Sequence, residues 1–215
     1  SAGAEVIHLG HDQSAKAVVD CAIQEDAHGV ALTSYQGGHV EYFTYIRQLL
    51  DEAGCEHIRI FGGGGGTITP PEIKTLHESG ISKIYSPDDG RAMGLMGMIH
   101  HLMGIASEVD LIHPDRLASL DGPVTPEDTA KVGLLLTMSE SADDATFKAT
   151  LDKCRSTQKD VPVIGFTGTG GAGKSSLLDE LMLRILRDNP GKKVCLLCVD
   201  PTRKRTGGAL LGDRI

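Results

Sequence analysis

The strongest chemical signal in the chain lies at residues 168–175, Gly-Thr-Gly-Gly-Ala-Gly-Lys-Ser. Gly168, Gly173, Lys174 and Ser175 fit G-x-x-x-x-G-K-[ST], the phosphate-binding loop. Glycines let successive backbone N–H groups curl around phosphate oxygens, and a helix N-terminus directly after them adds a favourable dipole. Lys174 is placed to reach β- and γ-phosphates, and the Ser175 hydroxyl to ligate Mg²⁺.

Such a loop works only between a strand and a helix. Residues 161–167, Val-Pro-Val-Ile-Gly-Phe-Thr, read as the strand, and residues 176–187 carry helical spacing. Gly168, Gly170 and Gly173 also match G-x-G-x-x-G, and Asp200 ends the next apolar run as a ribose-binding acid would. That alternative makes the chain a dinucleotide-dependent oxidoreductase. The Lys174-Ser175 pair argues against it.

The chain has 215 residues, enough for one or two domains, with 40% hydrophobic content and few aromatics. Its net charge of −8 speaks against nucleic acid as a partner. No apolar run approaches the length of a membrane span, and no signal peptide opens the chain. The cysteines at 21, 55, 154, 195 and 198 are odd in number and scattered, which speaks against a disulfide framework and for a cytoplasmic or other reducing compartment. Cys195 and Cys198 form a C-x-x-C, but residues 193–199 are apolar enough to predict a buried strand with core cysteines. Ser1 at the start, and an end at Ile215 soon after the second strand of the phosphate-loop unit, predict a piece of a longer polypeptide.

Taken in order, residues 5–9 predict a strand and 14–25 an amphipathic helix. Residues 29–33 predict a strand, 40–53 a helix closed by Gly54, and 57–61 a strand that runs into Gly62, Gly63, Gly64, Gly65 and Gly66. A helix capped by Thr69 with Pro70 and Pro71 in its first turn follows, then a short strand at 82–85 and a Met-rich helix over 90–104. Met93, Met96, Met98 and Met103 read as helix packing. Residues 107–158 read as a helical linker, with helix starts near Asp128 and Asp144. Alternating strands and helices predict a parallel sheet, which binds ligands outside the carboxyl ends of its strands. The loops there, at residues 10–12, 33–39, 62–67 and 86–87, are small, polar and glycine-rich. They suit a shallow, backbone-lined platform for a large flat ligand.

Thr33-Ser34-Tyr35-Gln36-Gly37-Gly38-His39, followed by the glycine run at 62–66, resembles the cobalamin-binding domain of the adenosylcobalamin-dependent acyl-CoA mutases. That family shows an upstream D-x-H-x-x-G, then S-x-L, then a Gly-Gly pair; Thr33 and Tyr35 in the S-x-L positions are a departure. The phosphate-loop unit, with residues 200–213, is similar to the G-protein chaperones that serve these mutases. A cobalamin domain joined to that G-protein through a helical linker is the layout of the fused isobutyryl-CoA mutases.

The resemblance implies an α/β chain in three parts. A flavodoxin-like cobalamin-binding unit lacking its first strand spans residues 1–106, a helical linker 107–158, and the start of a P-loop GTPase domain 159–215. For adenosylcobalamin it implies His11, Thr33, Ser34, Tyr35, Gly37, Gly38 and Gly62 to Gly66 as binding residues. His11 lines the corrin or a loop rather than ligating cobalt. Only 22 positions separate it from Thr33, and the family's ligand histidine lies much further upstream, before Ser1 in this chain. For GTP the resemblance implies Gly171, Ala172, Gly173, Lys174, Ser175 and Ser176, with Lys174 supporting hydrolysis. For Mg²⁺ it implies Ser175, Val199, Asp200 and Asp213. The implied reaction interconverts isobutyryl-CoA and n-butyryl-CoA in a homodimer whose acyl-CoA site and mutase-catalytic residues lie outside this chain. The competing reading is a chaperone and cobalamin-carrier module that serves a separate methylmalonyl-CoA-type mutase.

Overall fold

The computed structural model describes residues 3–155 and 161–198. The chain divides into two compact units, Ser1–Gln158 and Lys159–Ile215.

The first unit is α/β. Helix α1 (Ala15–Gln24) starts at Ser14, whose Oγ accepts from Ala17 N, and buries Ala15, Val18, Val19 and Ala22, positions repeating at helical spacing. Strand β1 (Gly29–Thr33) pairs in parallel with β2 (Arg59–Gly63), which pairs in parallel with β3 (Lys83–Tyr85). Helix α2 (His39–Glu52) connects the first pair and α3 (Pro70–Glu78) the second. Thr69 and Glu72 close a capping box on α3, and Ser86 and Asp89 another on α4 (Pro87–Ser107). Phe43, Ile46 and Leu50 of α2, Ile60 of β2, Leu76 of α3 and Ile84 of β3 form the centre of the core, all essentially excluded from solvent.

Glycine decides the tightest approach in this core. A Cβ on Gly62 would stand 2.5 Å from the Phe43 ring and 2.6 Å from Ile84 Cδ1. Arg47 is buried as well: it donates to Ile58 O at 2.8 Å and to Cys55 O at 3.2 Å, closing the loop that leads into β2.

Residues 107–155 contain α5 (Pro114–Leu117), α6 (Thr129–Ser141) and α7 (Asp144–Cys154). Leu120, Leu134, Met138 and Cys154 form a small second core, with Phe147 against it. This stretch, expected as a linker, also packs on the α/β part. Gly133 of α6 lies against α1, so close that a Cβ there would stand 2.9 Å from Ile23 O.

Asp26 and Asp89 set the acid response of this unit. Burial pushes the Asp26 carboxyl up, but the His57 ring, the Arg116 guanidinium and the Thr137 hydroxyl outweigh it and bring it down to about 2. Burial also opposes ionisation of Asp89, but the Ser86 N–H, Lys83 and the Ser86 hydroxyl bring it down to about 2. A carboxyl depressed in the folded state stabilises fully above its unfolded pKa and loses that contribution as pH falls through the folded one. The melting temperature of the first unit should therefore fall steeply between about pH 4 and pH 2. Asp89→Asn should flatten that slope, as followed by circular dichroism.

Several expectations are corrected. Residues 5–9 form no strand: Val6, Ile7 and Leu9 are exposed, and β1 pairs only with β2 among the described residues. Residues 161–167 are likewise exposed and not a strand, and neither are 193–198, so Cys195 and Cys198 are exposed rather than core. A strand is stable only within a ladder that satisfies its N–H and C=O groups. None of these three segments belongs to the sheet among the described residues. The Met-rich helix is longer than expected and broken at Gly94 (φ 66°, ψ 173°), and Met96 on it is half exposed.

Candidate functional site

The parallel register places Thr33, Gly63 and Tyr85 side by side at the carboxyl edge of the sheet. The loops beyond them are tied together. Ser34 N donates to Gly63 O at 3.0 Å, and the Thr67 hydroxyl donates to Ser34 O at 2.9 Å and Gly64 O at 2.7 Å. Gly64 lies directly against the Ser34 carbonyl, where a Cβ would collide with that oxygen and stand 2.7 Å from Thr67 Oγ1. Gly65 lies beside the exposed Tyr35, and a Cβ on it would stand 2.9 Å from the ring. Gly37 and Gly38 lead into α2, whose N-cap, Gly38, offers no side-chain acceptor, so the first N–H groups of the helix stay open.

Below the row lies an apolar groove of about 210 Å³ between the sheet and α4. Leu32, Phe61 and Gly62 line one wall, Met98, Ile99 and Leu102 the other. Tyr85 stands at its rim, held to α4 by a 3.0 Å hydrogen bond between its hydroxyl and His101 Nδ1.

His11 lies exposed in the segment before α1. That segment is tied to the first turn of α2 by the Tyr42 hydroxyl, which donates to Gln13 O at 2.9 Å. The structure thus gathers Thr33, Ser34, Tyr35 and Gly62 to Gly66 in one place, and leaves His11 in solvent.

Sequence reasoning passed over His39. Its ring is buried at the first position of α2 with Nε2 3.4 Å from Glu72 Oε1, and neither ring nitrogen has a hydrogen-bond partner among the described residues. A histidine directly after two glycines at a helix start was the available signal. Thr67 was also missed, because its role depends on a contact 33 residues away.

In the second unit Lys174 opens α8 (Lys174–Asp188), and Gly173, in the left-handed region (φ 77°), is its N-cap without a side-chain acceptor. Gly171 is also left-handed (φ 76°). A Cβ on Gly170, Gly171 or Gly173 would meet open space, so the loop presents bare backbone outward. Lys174 Nζ donates to Thr169 O at 2.9 Å and its stem lies over Gly168, so the loop is closed by its own lysine. Ala172, Ser175 and Ser176 are exposed. Val199, Asp200 and Asp213 lie outside the described residues. Among the described residues no group of three or more His, Cys, Asp or Glu is placed to hold a metal ion.

Comparison with known proteins gives two findings. Residues 132–215 match the family described as methylmalonyl Co-A mutase-associated GTPase MeaB. Over its whole length the chain is 49% identical to a fused isobutyryl-CoA mutase of Geobacillus kaustophilus and 48% identical to those of Nocardia farcinica and Cupriavidus metallidurans. In each case it spans 20% of the relative's length. The resemblance to fused isobutyryl-CoA mutases therefore covers the entire chain, and that to the GTPase its C-terminal part.

Proposed function

We propose that this chain is the cofactor-handling part of an adenosylcobalamin-dependent mutase that interconverts isobutyryl-CoA and n-butyryl-CoA, with a GTP-hydrolysing chaperone that gates cofactor loading. The observation that carries the reading is the pairing, in one chain, of a glycine-built carboxyl edge above an apolar groove with a phosphate-binding loop whose glycine backbone faces outward. No helix among the described residues is long and apolar enough to cross a membrane.

The first unit is read as flavodoxin-like. Its residues suit a large flat ligand with an apolar appendage. Gly62 to Gly66 keep the edge free of side chains, Thr33, Ser34 and Tyr35 border it, and the groove beneath would take an apolar part of the ligand. When bound, adenosylcobalamin supplies a carbon radical by cobalt–carbon homolysis. The chain's own residues orient and shield. Gly37 and Gly38 leave the α2 N–H groups free for polar ligand atoms, and Tyr85 and His101 set the width of the groove mouth. The exposed His11 is read as a residue of the loop before α1 rather than as the cobalt ligand.

In the second unit Gly171, Ala172, Gly173 and Ser176 offer backbone N–H groups to phosphate oxygens. Lys174 exchanges its bond to Thr169 O for the β- and γ-phosphates and neutralises charge that builds up during transfer. Ser175 would hold Mg²⁺ as a hard oxygen ligand, completed by Asp200, Asp213 and the backbone near Val199.

Titration of the longer polypeptide that carries this chain and the upstream cobalt-ligand histidine, with adenosylcobalamin followed in the visible spectrum and with Mg·GTP followed by calorimetry, tests both halves; this chain by itself is expected to bind cobalamin weakly if at all. Saturable binding of each is expected. Binding of NAD in place of Mg·GTP, or no spectral change with adenosylcobalamin, would overturn the corresponding half. Turnover of isobutyryl-CoA by the longer polypeptide that carries this chain, with no other protein added, supports the fused mutase. Turnover only with a separate mutase subunit supports the chaperone and carrier module.

A further inference from the structure

Helices α1, α2 and α3 end in the same way. In each, an N–H two residues past the C-cap bonds back to the carbonyl five residues earlier: Ala27 to Ala22 at 3.0 Å, Cys55 to Leu50 at 2.8 Å and Ile81 to Leu76 at 3.1 Å. The intervening residue must be left-handed, and glycine takes that place because a Cβ is disfavoured there. Gly54 (φ 68°) and Gly80 (φ 90°) obey. After α1 the residue is Asp26, with φ 44°.

A strained backbone that persists at one of three equivalent positions points to a use for the side chain. Asp26 is 5% exposed, and its carboxylate gathers groups from distant parts of the chain. Arg116 Nη2 donates to Oδ1 at 2.6 Å, and the Thr137 hydroxyl to Oδ2 at 2.8 Å. His57 Nε2, before β2, stands 3.6 Å from Oδ1. Arg116 follows α5's start and also donates to Leu111 O; Thr137 lies on α6. Residues 107–155 have their own small core, and Ala130 and Gly133 of α6 also pack against the α/β part.

We propose that Asp26 is a latch that holds α5 and α6 to the end of the sheet where β1 and β2 begin, opposite the carboxyl edge. Residues 107–155 then move with the α/β part as one body, and loss of the carboxylate turns them into a tether. A polar joint suits this task. An apolar seam weakens by degrees, whereas a desolvated ion pair that loses one partner leaves the other charge buried and unpaired. The inference does not depend on either cofactor.

Amide hydrogen exchange on the full chain at neutral pH tests it. Asp26→Asn should speed exchange across α6 at least tenfold and leave the amides of β2 within twofold of the parent. Thr137→Val should act in the same direction more weakly. Asp26→Asn combined with Arg116→Met, which removes the stranded charge, should slow α6 exchange again by at least threefold relative to Asp26→Asn alone. Unchanged α6 exchange in Asp26→Asn, or equal acceleration in β2 and α6, would show that Asp26 merely contributes to global stability and would overturn the latch. Should Asp26→Asn fail to fold, the same comparison of α6 with β2 in Thr137→Val decides.

Discussion

Lys174→Ala is expected to lower GTP turnover by about a hundredfold to a thousandfold, the range for removing one preorganised donor from developing charge. The side chain contributes little to folding. Its ammonium bonds only to Thr169 O in a loop that faces solvent, and α8 takes its start from Gly173. Circular dichroism and the melting curve should therefore match the parent. Nucleotide affinity should also fall, because the backbone N–H array alone would have to hold three negatively charged phosphates. Lys174→Arg should not restore turnover, because a planar guanidinium fork differs in shape and donor geometry from the compact ammonium. Steady-state phosphate release and calorimetric titration with Mg·GTP measure both effects. Turnover within threefold of the parent would remove Lys174 from the hydrolytic site.

Gly64→Ala should destabilise the first unit by roughly 3 kcal/mol, at the upper end for overpacking a tight site. The added methyl falls on the Ser34 carbonyl and near Thr67 Oγ1, so the loops after β1 and β2 must separate. That breaks the hydrogen bonds that join them, Thr67 to Ser34 at 2.9 Å among them. In the longer polypeptide that carries this chain, the cobalamin spectrum should accordingly shift only at concentrations at least tenfold higher. Gly63→Ala is the matched control. Its Cβ would stand 3.5 Å from Tyr85 O, an ordinary contact, and the change should stay within about 1 kcal/mol. Equal behaviour of the two variants would mean that the edge adjusts freely and is no built platform.

These two sites differ in how much of each was readable in advance. The phosphate loop is local. The left-handed glycines, the lysine and the helix start lie within eight consecutive positions, so spacing alone predicts the geometry found at Gly173 and Lys174. The carboxyl edge is not local. Alternating strands and helices predicted its loops, but not that Thr67 crosses to Ser34, that α4 walls a groove with Met98 and Leu102, or that His39 is buried beside Glu72. Residues 5–9 and 161–167 show the reverse failure. Their composition is that of strands, yet strand formation is a property of a pair, and no pair forms among the described residues.

Most helix positions, the cap at Thr69, the parallel sheet and the nucleotide loop follow from residue type and spacing, because each rests on hydrogen bonds between near neighbours or on one repeating apolar face. Tertiary structure alone decided that residues 107–155 are fastened rather than free. Beside the packing of Ala130 and Gly133, the fastening is a carboxylate at 26 meeting a guanidinium at 116 and a hydroxyl at 137. No local pattern marks such a meeting, since its strength comes from shared burial.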